Sequence, residues 1–107
     1  MYRILSYVTP EGKDVYKEWA DGLRDTRARF AVDRRLRRVE EGNFGDHKYL
    51  IDGIWELRID FGPGYRVYYG LRGAEVVVVL CAGDKGSQQR DIDRAVAYWA
   101  QVEKEGQ

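Results

Sequence analysis

The chain has very few of the residues that cross-link a small protein or bind metals. It contains one cysteine, Cys81, and one histidine, His47, in 107 residues. A single thiol allows no internal disulfide, and one thiol with one imidazole falls short of the Cys/His clusters that hold structural zinc. The sequence therefore argues against both a disulfide framework and a structural zinc site.

Long apolar runs are also missing. No stretch approaches the roughly 18 to 20 apolar residues that span a bilayer, and residues Met1 to Leu5 lack the long apolar segment of a secretory leader. We therefore expect a cytoplasmic protein that has no membrane partner.

The charges balance overall but are unevenly distributed. Eighteen Lys and Arg residues face 18 Asp and Glu residues, so composition alone does not indicate a nucleic-acid partner. One segment is nevertheless crowded with arginines: Arg24, Arg27, Arg29, Arg34, Arg35, Arg37 and Arg38. Such a run is most often a solvated helix face. Its functional interpretation is a platform for RNA phosphates, with Arg34, Arg35 and Arg38 as candidate contacts.

What remains is the pattern of a single α+β domain spanning residues 1–107. Apolar residues recur at helical spacing in two adjacent segments and again near the C-terminus, and short apolar runs bounded by turn residues indicate strands. The predicted strands are Tyr2 to Val8, Ile54 to Phe61, Tyr65 to Gly70 and Glu75 to Ala82; the predicted helical stripes are Val15 to Leu23, Ala28 to Val39 and Ile92 to Val102. The order is β-α-α-β-β-β-α, with residues 44–48 irregular, and we expect a helical hairpin on one face of a mainly antiparallel sheet.

The strongest local signal is alternation on both sides of the turn Gly62-Pro63-Gly64. It predicts a hairpin with an apolar face and a charged face; the charged face carries Glu56, Arg58, Asp60, Arg66 and Tyr68. If Phe61 pairs with Tyr65, Arg66 lies opposite Asp60. A two-residue turn at Arg72-Gly73 would then place Tyr68 opposite Val77 and bring Cys81 and Lys85 toward the charged face.

Four blocks of this sequence together resemble the RelE/ParE superfamily of bacterial toxins, and more narrowly its HigB-like addiction module killer proteins, which are related to phage Gp49. The blocks are Gly45-Asp46-His47-Lys48, Trp55-Glu56-Leu57-Arg58-Ile59-Asp60, Gly62-Pro63-Gly64-Tyr65-Arg66-Val67-Tyr68-Tyr69 and Gly83-Asp84-Lys85-Gly86-Ser87-Gln88. The resemblance implies the toxin of a type II toxin-antitoxin module. Such a toxin cleaves mRNA, often on the ribosome, without a metal or other cofactor, and a helix-turn-helix (HigA-like) antitoxin silences it.

The resemblance assigns two positions directly, Arg66 in the Tyr-Arg-Val-Tyr strand and Lys85 after the last strand. Some relatives carry a catalytic tyrosine or histidine near the C-terminus, and Ser87 to Asp91 contain neither. The general acid and base therefore stay open.

Metal-free RNA cleavage needs a proton acceptor, cations on the phosphate and a proton donor. Arginine suits the phosphate because its planar fork holds two oxygens, which makes Arg66 the first candidate clamp and Arg58 the second. Lys85 could stabilise charge or donate a proton. His47, Glu56 and Tyr68 are the remaining acid and base candidates, and Lys48 is a candidate phosphate or antitoxin contact.

Other interpretations stay open for several of these residues. Arg58, Glu56 and Asp60 could form a cross-strand ion-pair network, and His47 could simply be an exposed loop residue. A ParE-like toxin that binds DNA gyrase without cleaving RNA has the same scaffold. The cationic set Arg58, Arg66 and Lys85 favours the nuclease, because a gyrase binder has no evident need of it.

Overall fold

The computed structural model describes residues 1–106, which form five strands and three α-helices. The α+β prediction is confirmed, with one strand more than the sequence indicated. The elements are β1 (Arg3–Ser6), α1 (Val15–Asp21), α2 (Thr26–Glu40), β2 (His47–Ile51), β3 (Ile54–Ile59), β4 (Tyr65–Arg72), β5 (Val76–Asp84) and α3 (Gln88–Glu105), with a 3₁₀ turn (Lys85–Ser87) between β5 and α3.

The strands form one sheet in the order β1-β5-β4-β3-β2. All neighbouring pairs are antiparallel except β1 with β5, which is parallel. Strand β5 therefore lies inside the sheet with a strand on each side, as its unalternating Val76 to Leu80 run predicts.

Each face of the sheet has its own core. On one face, α2 covers a cluster that includes Leu57, Val67 and Val79. On the other, α3 packs through Ala95 and Trp99 on a cluster that includes Ile54, Tyr68, Val78, Leu80 and Cys81. Within residues 1–106, no helix combines the length and apolar character that crossing a bilayer requires.

The helix boundaries follow from side-chain caps. The Asp14 carboxylate accepts the Lys17 amide at the start of α1, and Asp25 accepts the Arg27 amide at the start of α2. Gly22 ends α1, as predicted from its interruption of the helical pattern. These caps fix the helical hairpin against the sheet.

Residues 44–46 are irregular as predicted, but the prediction was wrong about His47 and Lys48, which begin the edge strand β2 that the sequence did not indicate. His47 pairs with Leu57 and Lys48 with Glu56. Most of β2 is exposed and only Leu50 is half-buried, so its sequence carries no strong apolar alternation, and a strand with so little buried surface leaves little signal.

Both predicted hairpin registers were also wrong. Ile59 pairs with Tyr65 and Arg58 with Arg66, because residues 60–64 form a longer loop than the three residues assumed. The β4-β5 connection has three residues between Arg72 and Val76, and a bulge follows Tyr68. Tyr68 therefore pairs with Cys81, and Arg66 with Gly83. The first error is a shift of two residues, which keeps every side chain of β3 and β4 on its predicted face.

Candidate functional site

A cationic groove lies at the end of the sheet where β3, β4 and β5 meet. It has a volume of about 370 Å³ and includes the side chains of Arg58, Arg66 and Lys85 with those of Asp46 and Asp60. The loop Gly62-Pro63-Gly64 closes one side. The three cations that the sequence singled out are therefore brought together, although they come from three different elements.

Glu56 is the buried centre of this arrangement. Its Oε1 accepts hydrogen bonds from Arg58 Nε and Arg66 Nη1, both at 3.1 Å. Its Oε2 accepts one from Gln88 Nε2 at 2.9 Å. The Glu56 side chain is 1% exposed, so both oxygens are engaged and out of reach of solvent. Glu56 thus positions the arginines and is not available as a free general base.

The side chains of the two arginines are exposed to different degrees. The Arg66 side chain is 15% exposed and that of Arg58 is 37% exposed. Two guanidiniums directly opposite each other on paired strands repel, and the carboxylate between them offsets that repulsion. Among the described residues, the two terminal nitrogens of Arg58 have no acceptor, which leaves them free to bind an anion in the groove.

Lys85 reaches the groove from the 3₁₀ turn, which is anchored on both sides. The Asp84 carboxylate accepts the amides of Gly86 and Ser87. The Ser87 hydroxyl donates to the buried carboxylate of Asp91, which also accepts Arg94 Nη2 at 2.9 Å. These contacts fix the backbone at Lys85, and its ammonium group forms no salt bridge within residues 1–106, although Asp46 and Asp60 line the same groove.

Tyr68 does not contribute an accessible hydroxyl. It is 0% exposed, and its Oη has no hydrogen-bond partner within residues 1–106. Burial, and then the nearby Glu56 and Asp91 carboxylates, raise the pKa of Tyr68 above its ordinary value. The Tyr68 hydroxyl is therefore closed to solvent in this structure, and its raised pKa favours the protonated form.

His47 and Lys48 lie on opposite faces of the sheet. His47 pairs with Leu57, on the α2 face, and its ring contacts Phe44 and Trp55. Its Nδ1 is 2.9 Å from the Gly45 carbonyl, and the ring lies outside the cationic groove. Lys48 pairs with Glu56, so it belongs to the groove's face of the sheet although it does not line the groove.

The three arginines of α2 that the sequence suggested as RNA contacts lie in different surroundings. Arg35 donates to the backbone carbonyls of Arg58, Phe44 and Asp46, and burial lowers its pKa below the ordinary value. It therefore joins α2 to β3 and to the segment before β2. Arg34 and Arg38 are exposed, away from the groove.

Three residues that sequence reasoning missed complete the site: Gln88, Asp91 and Asp46. Gln88 and Asp91 lie on the same helical stripe as Ala95 and Trp99. A polar side chain on an apolar stripe was the available signal, because such a residue is buried and requires a partner. The only sequence signal for Asp46 was its position in one of the four blocks that resemble the RelE/ParE superfamily.

The order of the elements and the mainly antiparallel five-stranded sheet, with helices on both faces, are those of a RelE-like fold. The model of the phage-derived Gp49-like family (DUF891) matches residues 18–99. A Haemophilus influenzae protein described as uncharacterized is 45% identical over 80 residues, which cover 75% of this chain and 81% of that protein. The chain belongs to the Gp49-like family of RelE-like addiction module killer proteins. The family indicates the toxin of a toxin-antitoxin pair, with an antitoxin as partner.

Proposed function

We propose that this toxin is an endoribonuclease that cleaves mRNA, on the ribosome, without a metal, and that the cationic groove holds the scissile phosphate. The observation that carries the proposal is the set Arg58, Arg66 and Lys85 around one groove, with buried Glu56 fixing both arginines. A preorganised cluster of donors stabilises charge that develops on a phosphate without reorganising during the reaction.

The reaction is an attack by the ribose 2′-oxygen on the adjacent phosphorus. The 2′-hydroxyl loses its proton, the new P–O2′ bond forms and the P–O5′ bond breaks. The products are a 2′,3′-cyclic phosphate and a 5′-hydroxyl end. Asp46 and Asp60 are the carboxylates that line the groove and serve as the candidate proton acceptors, while Lys85 protonates the departing 5′-oxygen.

The antitoxin in this proposal is a helix-turn-helix (HigA-like) protein that prevents the groove from reaching mRNA. This part rests on the resemblance and on the family's need for an antitoxin.

Lys85→Ala tests the proposal, because Lys85 is exposed and its side chain makes no hydrogen bond or ion pair within the described residues. Primer extension on cellular mRNA after a brief pulse of expression should show new 5′ ends inside coding regions for the wild type. Losing one transition-state donor typically costs about 100-fold or more in rate, so these ends should disappear in the variant. Lys104→Ala, an exposed lysine in the last turn of α3, is the matched control and should behave as the wild type.

Intact mRNA in cells that stop growing and accumulate DNA breaks would overturn the nuclease and favour gyrase poisoning. Normal growth with an abundant, folded wild-type protein would overturn any toxic activity.

A further inference from the structure

Helix α2 presents an aromatic side chain to solvent at its outward face. Phe30 is 64% exposed, whereas the core residues Ala28 and Val32 on the opposite side of the helix are buried. The outward stripe consists of Arg27, Phe30 and Arg34, spaced by three and four residues, together with Thr26 one turn before Phe30. A large apolar ring between two arginines is unusual on a helix that only needs to be solvated.

This stripe forms one wall of a second groove, about 330 Å³ in volume, which we call the α2 groove. Its other wall is Phe61, from the loop between β3 and β4. The centre is therefore apolar, made of two phenyl rings and the methyl group of Ala31. The arginines stand at its two ends.

The α2 groove adjoins the cationic groove through a shared loop. Phe61 lines the first, and its neighbours Asp60 and Gly62 line the second. A segment seated against Phe61 consequently lies beside the proposed phosphate site.

The charges of the α2 groove indicate an acidic occupant. Arg34 has no acidic partner among residues 1–106, and Arg27 meets only Asp25, at 3.4 Å with 82% of the Arg27 side chain exposed. The seven helical positions from Arg27 to Arg34 correspond to about 10 Å along the helix axis.

We propose that the α2 groove is the docking site for an acidic amphipathic helix of the antitoxin. One apolar side chain of that helix inserts between Phe30 and Phe61, and carboxylates about 10 Å apart, which is about two helical turns, pair with Arg27 and Arg34. An apolar centre with cations only at the ends matches such a helix better than an RNA strand, whose phosphates follow one another continuously. The inference rests on the proposed toxin-antitoxin function and adds the location and chemistry of the partner. It also explains inhibition, because the bound helix would flank the mouth of the cationic groove.

The test uses the full chain and its purified cognate antitoxin, with a short single-stranded RNA as the second probe. Phe30→Ala should weaken antitoxin binding by about 30-fold, as expected for a buried aromatic anchor, and Arg34→Glu by about 10-fold or more through charge reversal. Phe30→Ala should leave RNA affinity within about twofold of the wild type. Arg72→Glu, an exposed arginine at the far end of β4, is the matched control and should change neither affinity.

An antitoxin affinity that stays at the wild-type value in both Phe30→Ala and Arg34→Glu would overturn the docking site. A loss of RNA affinity with antitoxin binding intact would overturn it too and assign the surface to RNA. The binding measurement is independent of mRNA cleavage. If the wild type cleaves no mRNA but Phe30→Ala loses antitoxin binding, the nuclease proposal fails and the docking site stands.

Discussion

Glu56 determines how the arginine side chains of the groove are held. A carboxylate buried to this degree is stable only when opposite charges and donors surround it, and Arg58, Arg66 and Gln88 provide these. The sequence predicted the three cations and the faces on which they lie, but it suggested Glu56 and Tyr68 as acid or base. Burial by α3 changes both roles, and neither residue's own neighbourhood in the sequence shows which helix covers it.

Removing the carboxylate should cost more than removing an ordinary surface charge. Glu56→Ala leaves two facing guanidiniums without their shared partner, and we expect the free energy of unfolding to fall by about 3 to 5 kcal/mol. Urea denaturation measures this. Glu75→Ala, in the exposed β4-β5 connection, should stay within about 0.5 kcal/mol of the wild type. Equal stabilities for the two variants would contradict the positioning role of Glu56.

Tyr68 offers a test of the revised site. Because its hydroxyl is buried without a partner, Tyr68→Phe removes no hydrogen bond and leaves a ring of the same shape. We expect wild-type mRNA cleavage and a free energy of unfolding within about 1 kcal/mol of the wild type, or slightly higher. A folded Tyr68→Phe protein with no cleavage activity would show that the Tyr68 hydroxyl takes part in the reaction.

The elements were predictable where they bury a periodic face and unpredictable where they do not. The stripes of α2 and α3 and the apolar run of β5 gave correct elements, because burial imposes a period of 3.6 or removes alternation. Strand β2 is an exposed edge and gave no such pattern. The registers failed because loop lengths and the bulge after Tyr68 depend on backbone geometry that a few turn residues do not specify.

The junction of β5 and α3 depends on a glycine. A side chain at Gly83 would overlap the Asp91 carboxylate and the Ser87 hydroxyl, which anchor the turn that carries Lys85. Gly83→Ala should therefore destabilise the protein by about 1 to 3 kcal/mol and lower mRNA cleavage by displacing Lys85. Gly22→Ala is the control, because a methyl group there meets only ordinary contacts at 3.4 Å. Denaturation midpoints that are the same for both variants would show that the junction tolerates a side chain.

Folding favours the protonated forms of three tyrosine hydroxyls and of the single thiol. Burial raises the pKa of Cys81 to about 12, and burial also raises the pKa of Tyr16, Tyr68 and Tyr69 above their ordinary values. In the unfolded chain these groups titrate near pH 8.5 for the thiol and about pH 10 for the phenols. Their contribution to stability is therefore complete below about pH 8.5 and is lost as the pH rises, because only the unfolded chain then releases protons.

We accordingly expect the free energy of unfolding to fall between about pH 9 and pH 11, by up to about 1.4 kcal/mol per pH unit for each group. The urea midpoint should fall with it. Cys81→Ala should delay the onset of this fall, although it lowers stability at neutral pH by leaving a small cavity. An unchanged midpoint from pH 7.5 to pH 10.5 would contradict the burial of these groups.

Charge is also organised over the whole molecule. The chain is neutral overall, yet the cationic groove and the arginines of the α2 groove lie on either side of one loop, residues 60–64. Composition could not predict this, since the cations come from α2, β3, β4 and the 3₁₀ turn and meet only in the folded chain. A single region thus combines a proposed RNA site with a proposed antitoxin site.

The central claim of the proposed function is that the guanidinium of Arg66, which Glu56 positions, binds the phosphate that is cleaved. The most direct test is the initial rate at which the purified protein cleaves ribosome-bound mRNA, for the wild type and Arg66→Lys. Lysine keeps the charge but loses the fork, so the account predicts a rate lower by about 100-fold, with Arg72→Lys at the wild-type rate and all three proteins folded. Cleavage by folded Arg66→Lys at the wild-type rate would contradict it.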